Sequence, residues 1–498
     1  MRKIRHTRRI PPKEVETYNL EVLAKQIMHA FGLQPEFPKA VYEQLLLITE
    51  PAHATKEYED LRSLLWCSID NDDSRDLDQL TFAQKKENGD FTLFVAIADV
   101  DALVTKGSAI DHHAQINTTS VYTPAKTFSM LPEKLSTDLT SLNEDQDRVA
   151  LVAKMTMNPI GEITNGSIFQ AIVQNHAKLT YNGVGAWLEG NTPIPEKAAQ
   201  VLGLEEALQC QHEAAQILKQ RRHSLGALTL ESPEAEAKII ENAEVILELP
   251  QHNFASQLIE HFMIAANGVM ANTLKQAKIP SLRRVIRIPK RWDRIVEVAS
   301  SLKETLPEEP NSKALENFLV KRKKADPESF PDLSLTVIKL LGRGEYIVET
   351  PGDAPIGHFG LALPQYAHTT APNRRFPDLI AQRQYKACLK GNPSPYSLQE
   401  LQMLADHCTK QEDASIKVER HMNKSAAALL LSSHIGTVYH GIITGAGPKG
   451  TWVRVFDPPV EGKIIHGFEN LDVGDKVFVM LENVSVPRGY INFVKVKK

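Results

Sequence analysis

The sequence predicts an α+β protein: a large mixed unit, preceded by a small helical region and followed by a five-stranded OB-type β-barrel. Three observations predict it. Apolar runs separated by turn residues occupy 61–97, helical periodicity dominates 205–280 and 377–432, and five short strand-like runs fill 436–498. The expected domains are therefore 1–60, 61–435 and 436–498. At 498 residues the chain is too long for one small core.

The N-terminal region has a basic tip carrying Arg2, Lys3, Arg5, Arg8 and Arg9, then helical stretches at 21–31 and 40–49 punctuated by prolines. From 61 the texture changes. Residues 64–69 read as a buried strand, an acidic loop follows, and 80–82 and 91–97 read as strands joined by an Asn88-Gly89 turn. Asn253 is placed to cap a helix whose apolar residues Leu258, Phe262 and Ala265 recur at helical spacing. Gly391-Asn392-Pro393 interrupts the last helical region. The tail strands are expected at 437–443, 452–456, 463–466, 476–481 and 490–494. A barrel of this kind commonly grips single-stranded nucleic acid, with Tyr439, Trp452, Arg454, Lys463 and Phe468 as candidates. Gly445 to Gly450 lacks the spacing of a phosphate loop and reads as a hairpin turn.

Hydrophobic residues make up 42% and charged residues 24%, which excludes a disordered or fibrous chain. With 57 Lys+Arg against 61 Asp+Glu, a nucleic acid would need a local basic channel rather than an overall positive charge. Cys67, Cys210, Cys388 and Cys408 are scattered and form no CxxC pair, so reduced thiols are expected, not a zinc ribbon or disulfide framework. No apolar run reaches the ~20 residues that span a bilayer, and no secretory signal pattern is visible; a cytoplasmic location is expected, away from any membrane.

The densest chemical signal is the run from Ile69 to Gln79, where Asp70, Asp72, Asp73, Asp76 and Asp78 crowd together between apolar flanks. Such charges repel unless a cation or an arginine neutralises them. A metal site is the sharper reading, and a solvated turn or ion-pair network the competing one. Oxygen ligands favour Mg2+ or Mn2+ over zinc. An EF-hand calcium loop fails, because Arg75 stands at its glycine position and Thr81 at its glutamate position. Carboxylate-held cations with an arginine nearby suit phosphodiester hydrolysis.

With this loop in view, the chain resembles the RNase II family, whose catalytic segment is the RNB domain. The resemblance also rests on Val95–Val100, on Ser120-Val121-Tyr122-Thr123-Pro124, on Met130–Ser136 with Ser141-Leu142-Asn143, and on Tyr366–Leu379 with its Thr370-Ala371-Pro372-Asn373-Arg374-Arg375 core. It covers about 61–435, and a C-terminal OB barrel is a family habit. It implies a 3′-to-5′ exoribonuclease that acts on single-stranded RNA 3′ ends, uses Mg2+ or Mn2+, and releases nucleoside 5′-monophosphates. By position, Asp70, Asp76 and Asp78 would hold the metal and Arg374 would clamp the scissile phosphate. Tyr122 would pack on the terminal base, Arg375 beside Arg374 is a further substrate-binding candidate, and Glu419 would lie near the terminal nucleotides. His261, His358 and His368 match no family ligand and read as structural. No protein partner is inferable.

Two departures qualify this picture. Gln79 stands where the family has a fourth aspartate, offering a neutral oxygen without charge, so a metal would be held more weakly unless Asp72 or Asp73 compensates. The chain is then either an active enzyme favouring Mn2+ or higher Mg2+, or a relative that binds RNA 3′ ends without efficient cleavage. A scaffold in an RNA-decay assembly is a third class. Residues 1–60 are also too short for the paired cold-shock barrels of many relatives, which shifts expected RNA capture to the C-terminal barrel and the basic tip.

Overall fold

The computed structural model describes residues 19–231, 235–240, 244–248 and 252–497, so the basic tip lies outside the described residues. At its centre is a seven-stranded sheet in the order Glu59–Asp60, Ile163–Gln174, Asp147–Met157, Phe91–Ala98, Gln79–Lys85, Cys67–Asp70, Ala177–Thr180. The inner strands run antiparallel, and the outermost strand at each edge pairs parallel with its neighbour. Every residue of Phe91–Ala98 is buried, a pattern that requires cover on both faces of the sheet. Helices Leu204–Leu225 and Phe254–Gln276 pack on each other and on the strands. Helix Phe376–Leu389 is tied to them by Gln382 Nε2 donating to Ala98 O at 2.8 Å.

The expected helices at the N-terminus form as Leu20–Ala30 and Lys39–Leu47. Asn253 caps its helix, its Oδ1 accepting from Ser256 N at 2.9 Å. Two expectations fail locally. The strand expected from 64 begins at Cys67, because Trp66 turns inward and its Nε1 donates to Leu61 O at 2.8 Å. The expected helical span 205–280 is broken by an antiparallel hairpin, Glu236–Ile240 with Glu244–Glu248. Ala237 and Val245 of that hairpin are buried in one cluster with Val418 and Met422 of the 34-residue helix Leu398–Leu431, so tertiary contact overrides the helix-forming Ala and Glu content.

The tail closes into a barrel in which strands Val438–Gly447, Gly450–Phe456, Pro459–His466, Tyr490–Lys495 and Lys476–Ser485 follow one another around the wall. Gly447 pairs with Gly450 across a hairpin turn, as expected. The barrel core is continuous with the long helix and with helix Leu20–Ala30. All four cysteines are free, and no described helix is long and apolar enough to cross a membrane.

One buried ion pair locks this arrangement. Arg383 donates to Asp111 Oδ1 at 2.7 Å, Asp101 Oδ1 at 2.9 Å, Tyr396 Oη at 2.9 Å and Val104 O at 2.6 Å. Removing one partner strands a carboxylate in a nonpolar interior, which costs about 3–5 kcal/mol. Arg383→Ala should therefore lower the thermal midpoint markedly, and adding Asp111→Ala should restore part of the loss. A single variant that melts with the wild type would show that the pair contributes nothing.

Candidate active site

Strand Cys67–Asp70 delivers Asp70 at its exit, and strand Gln79–Lys85 starts immediately after Asp78. Between them the chain is pinned by Leu77, which is buried. Its N–H donates to Ser141 Oγ at 2.9 Å, and its carbonyl accepts from Leu142 N at 2.9 Å. In an extended segment alternate side chains share a side, so burying Leu77 sends Asp76 and Asp78 the other way. The Ser141–Asn143 block is thus the support of the acidic loop. Lys178 Nζ adds a bond to Ser74 O at 2.5 Å.

Arg374 arrives on an irregular segment held from several sides. Thr369 N and Oγ1 both donate to Asn267 Oδ1, at 2.8 and 2.7 Å. Ala371 N donates to Asp378 Oδ1 at 2.8 Å, and Asn373 N to Asp78 Oδ1 at 2.9 Å. The Gln79 amide donates to Thr370 O. Arg374 Nε then lies 3.3 Å from Asp78 Oδ2. Ser120 N donates to Arg374 O at 3.0 Å, which brings Tyr122 beside the arginine.

The result is a cavity of about 510 Å³ lined by Asp70, Asp76, Asp78, Gln79, Tyr181 and Arg374 among others. It adjoins an outer cavity of about 880 Å³ that includes Arg75, Lys126, Lys238 and Glu419. Tyr122 and Asp76 line both, and Tyr122 itself is 43% exposed. Asp78 is 2% exposed; burial pushes its carboxyl up to about 7, against the pull of Arg374. Burial also raises Asp76, whose carboxyl feels Asp70 and Asp73 as well as Arg374. Apart from the Arg374 contact, Asp78 Oδ2 has no hydrogen-bond partner.

Of the residues singled out in the sequence, Asp70, Asp76, Asp78, Gln79, Arg374 and Tyr122 therefore meet at one cavity. Glu419, on the long helix, accepts from Tyr122 N at 2.9 Å and Ser415 Oγ at 3.0 Å, so it holds the tyrosine's backbone. Arg375 lines the same cavity but is engaged by Asp378 Oδ1 at 2.8 Å. Asp72 does not join the cluster: it is exposed and accepts from Asn182 Nδ2 at 2.6 Å. Asp73 is exposed and lines the outer cavity. In the barrel, Tyr439 is a core residue packed on Phe493, and Arg454 is paired with Asp332 at 2.9 Å. Lys463 lies 6.0 Å over the Trp452 ring, and Phe468 is exposed. His261, His358 and His368 are bonded to Arg222, Leu361 N and Tyr346 Oη, and burial lowers all three, which keeps them neutral. Sequence reasoning missed Asn267, Asp378 and Tyr181. Asp378, three residues after Arg375 and inside the Tyr366–Leu379 segment, was the one a local motif could have offered.

Residues 58–391 match the RNB domain model, and 437–496 match the RNase II-type exonuclease C-terminal S1 domain. Ribonuclease R of Escherichia coli (strain K12) is 33% identical over 444 residues, covering 86% of this chain and 54% of the relative. The chain thus spans about half the length of that curated relative. RNase R of Mycoplasma genitalium has been solved with ribose methylated single-stranded RNA (24% identity, TM-score 0.86, 96% of this chain and 78% of that one). The same protein with double-stranded RNA gives 25% identity and a TM-score of 0.84, over 96% and 83%. Yeast Ssd1, described as a pseudonuclease, shares the fold at 16% identity and a TM-score of 0.72, over 93% and 58%. The chain belongs to the RNB-domain family, as a homologue of RNase R with an RNase II-type C-terminal S1 domain.

Proposed function

We propose that the chain is a divalent-metal-dependent 3′-to-5′ exoribonuclease that hydrolyses the terminal phosphodiester of RNA and releases nucleoside 5′-monophosphates. One observation carries the reading: the Arg374 guanidinium stands 3.3 Å from Asp78 in a cavity walled by Asp70 and Asp76, with Tyr122 where it opens. The resemblance to solved RNase R complexes with single- and double-stranded RNA supports RNA as the substrate.

The donor set fits a hard cation. Its groups are oxygens, the acidic charges sense one another, and Asp78 keeps an oxygen without a hydrogen-bond partner. Among the described residues no three acidic, His or Cys side chains stand close enough together to hold a metal as they are; Asp70, Asp76 and Asp78, which line one cavity, are the residues that would hold one. When bound, Mg2+ or Mn2+ supplies Lewis acidity at the phosphate and an acidified water. The chain's own groups do the rest. Arg374 neutralises the non-bridging phosphate oxygens, and its fork fixes their orientation. Tyr122 offers a ring for the terminal base, positioned through its backbone by Glu419. Arg375, spent on Asp378, fixes the loop rather than the phosphate. Trp452, Lys463 and Phe468 of the barrel give RNA a stacking and charged surface.

A second reading, binding of 3′ ends without efficient cleavage, is favoured by Gln79, whose amide is committed to Thr370 and adds no charge to the cavity. A 5′-labelled oligoribonucleotide with Mg2+ or Mn2+ separates the two. The enzyme reading expects a ladder of shortened products, and Arg374→Ala should slow it by about 10²–10³-fold. Retained RNA binding with no ladder in either metal would select the binding-only reading.

Asp78 also makes stability depend on pH. Its folded value of about 7 lies above an unfolded aspartate near ~4, so the folded state holds the extra proton between these limits. Its contribution to stability is complete below about 4 and is lost as pH rises through about 7. In EDTA, Asp78→Asn should therefore gain thermal stability relative to the wild type as pH is raised from 4.5 to 8 (about these limits). A difference that stays constant across that range would contradict the burial of a titrating carboxyl.

A further inference from the structure

Three ties bind the Thr370–Arg374 loop to the end of the acidic strand. Asn373 N donates to Asp78 Oδ1 at 2.9 Å, Arg374 Nε faces Asp78 Oδ2 at 3.3 Å, and the Gln79 amide donates to Thr370 O. The first two both use the Asp78 carboxylate. A cation bound there competes for the same oxygen lone pairs, so metal binding weakens the ties that place the arginine. Gln79 is different. It is a strand residue in register with Ile97, fixed by the sheet, and its tie uses no acidic oxygen. A backbone carbonyl can only accept, so the amide must present its nitrogen to Thr370. A carboxylate in its place could not donate at neutral pH and would set two acceptors face to face.

We propose that Gln79 is a positioning residue, whose amide holds the Thr370–Arg374 loop on the sheet whether or not Asp78 carries a cation. The inference rests on the metal-dependent reading above for its second condition, while the tie itself is testable without metal. What looks like a lost ligand is then a neutral clamp: it forgoes one charge at the metal and keeps the phosphate-binding guanidinium in place through each cycle of metal exchange.

The test is hydrogen exchange of the backbone amides of Ala371, Asn373 and Arg374 in the full chain. Two variants are compared with the wild type: Gln79→Met, which keeps length without a donor, and Gln79→Glu, which keeps shape but reverses the hydrogen bond. In EDTA both should exchange at least about tenfold faster than the wild type across this segment, a loss of roughly 1.4 kcal/mol of local protection. The amides of Phe91–Ala98 serve as the folding reference and should be unchanged. With saturating Mn2+ the wild-type segment should stay within about twofold of its EDTA rate. Wild-type rates in both variants would overturn the tie. A tenfold change in the wild-type rate between EDTA and Mn2+, above all a faster rate with Mn2+, would overturn its independence from the cation. Calorimetry showing no Mn2+ binding to the wild type would instead sink the metal-dependent reading, leaving the EDTA comparison to decide the role of Gln79.

Discussion

The site depends on one costly arrangement: the Asp78 carboxyl is buried with one guanidinium and one backbone N–H, that of Asn373, for company. Taking a carboxylate out of water costs several kcal/mol, and one arginine in a cavity repays that only in part. The charge is therefore frustrated, and its proton is held to about 7. A divalent cation would resolve the frustration more completely than a second arginine, because Asp70 and Asp76 line the same cavity and could share it. On the proposed reading, the same burial that destabilises the metal-free carboxylate would favour metal and phosphate.

Much of the surrounding fold exists to hold this geometry. The sheet fixes Asp70 and the Asp78-Gln79 pair at one end, Ser141 and Leu142 pin the loop between them, and Asn267 and Asp378 satisfy the arginine segment. The long helix Leu398–Leu431 supplies Glu419 to the Tyr122 backbone. It also packs on the N-terminal helix, the Glu236–Glu248 hairpin and the barrel. A single rigid element thus couples the surface where a strand of RNA could be gripped to the cavity where its end would sit.

The legible parts of the sequence were those with local causes. An apolar run after the Asn88-Gly89 turn marked 91–97, short runs between glycine- or proline-bearing turns marked the barrel strands, and Asn253 marked a helix start through its own side chain. The acidic loop announced itself because five like charges beside apolar flanks demand an explanation. The hairpin at 236–248 was hidden by residues that favour helices, and it is kept extended by the long helix over 170 positions away in sequence. Long-range bonds were equally invisible: Gln79 with Thr370, Asp78 with Asn373 and Leu77 with Ser141 are contacts between segments, and no spacing rule reports them. Asp72 misled for the opposite reason, since proximity in sequence says nothing about direction once Asn182 claims its carboxylate. Arg454 likewise looked available for RNA until Asp332 was found against it.

The most direct measurement is a crystal structure of the full chain soaked in Mn2+, with anomalous data collected at the manganese edge. The account predicts a peak in the inner cavity, in contact with the Asp78 carboxylate and shared with Asp70 or Asp76. A saturated crystal with no peak there, or with manganese bound only at other carboxylates, would contradict it.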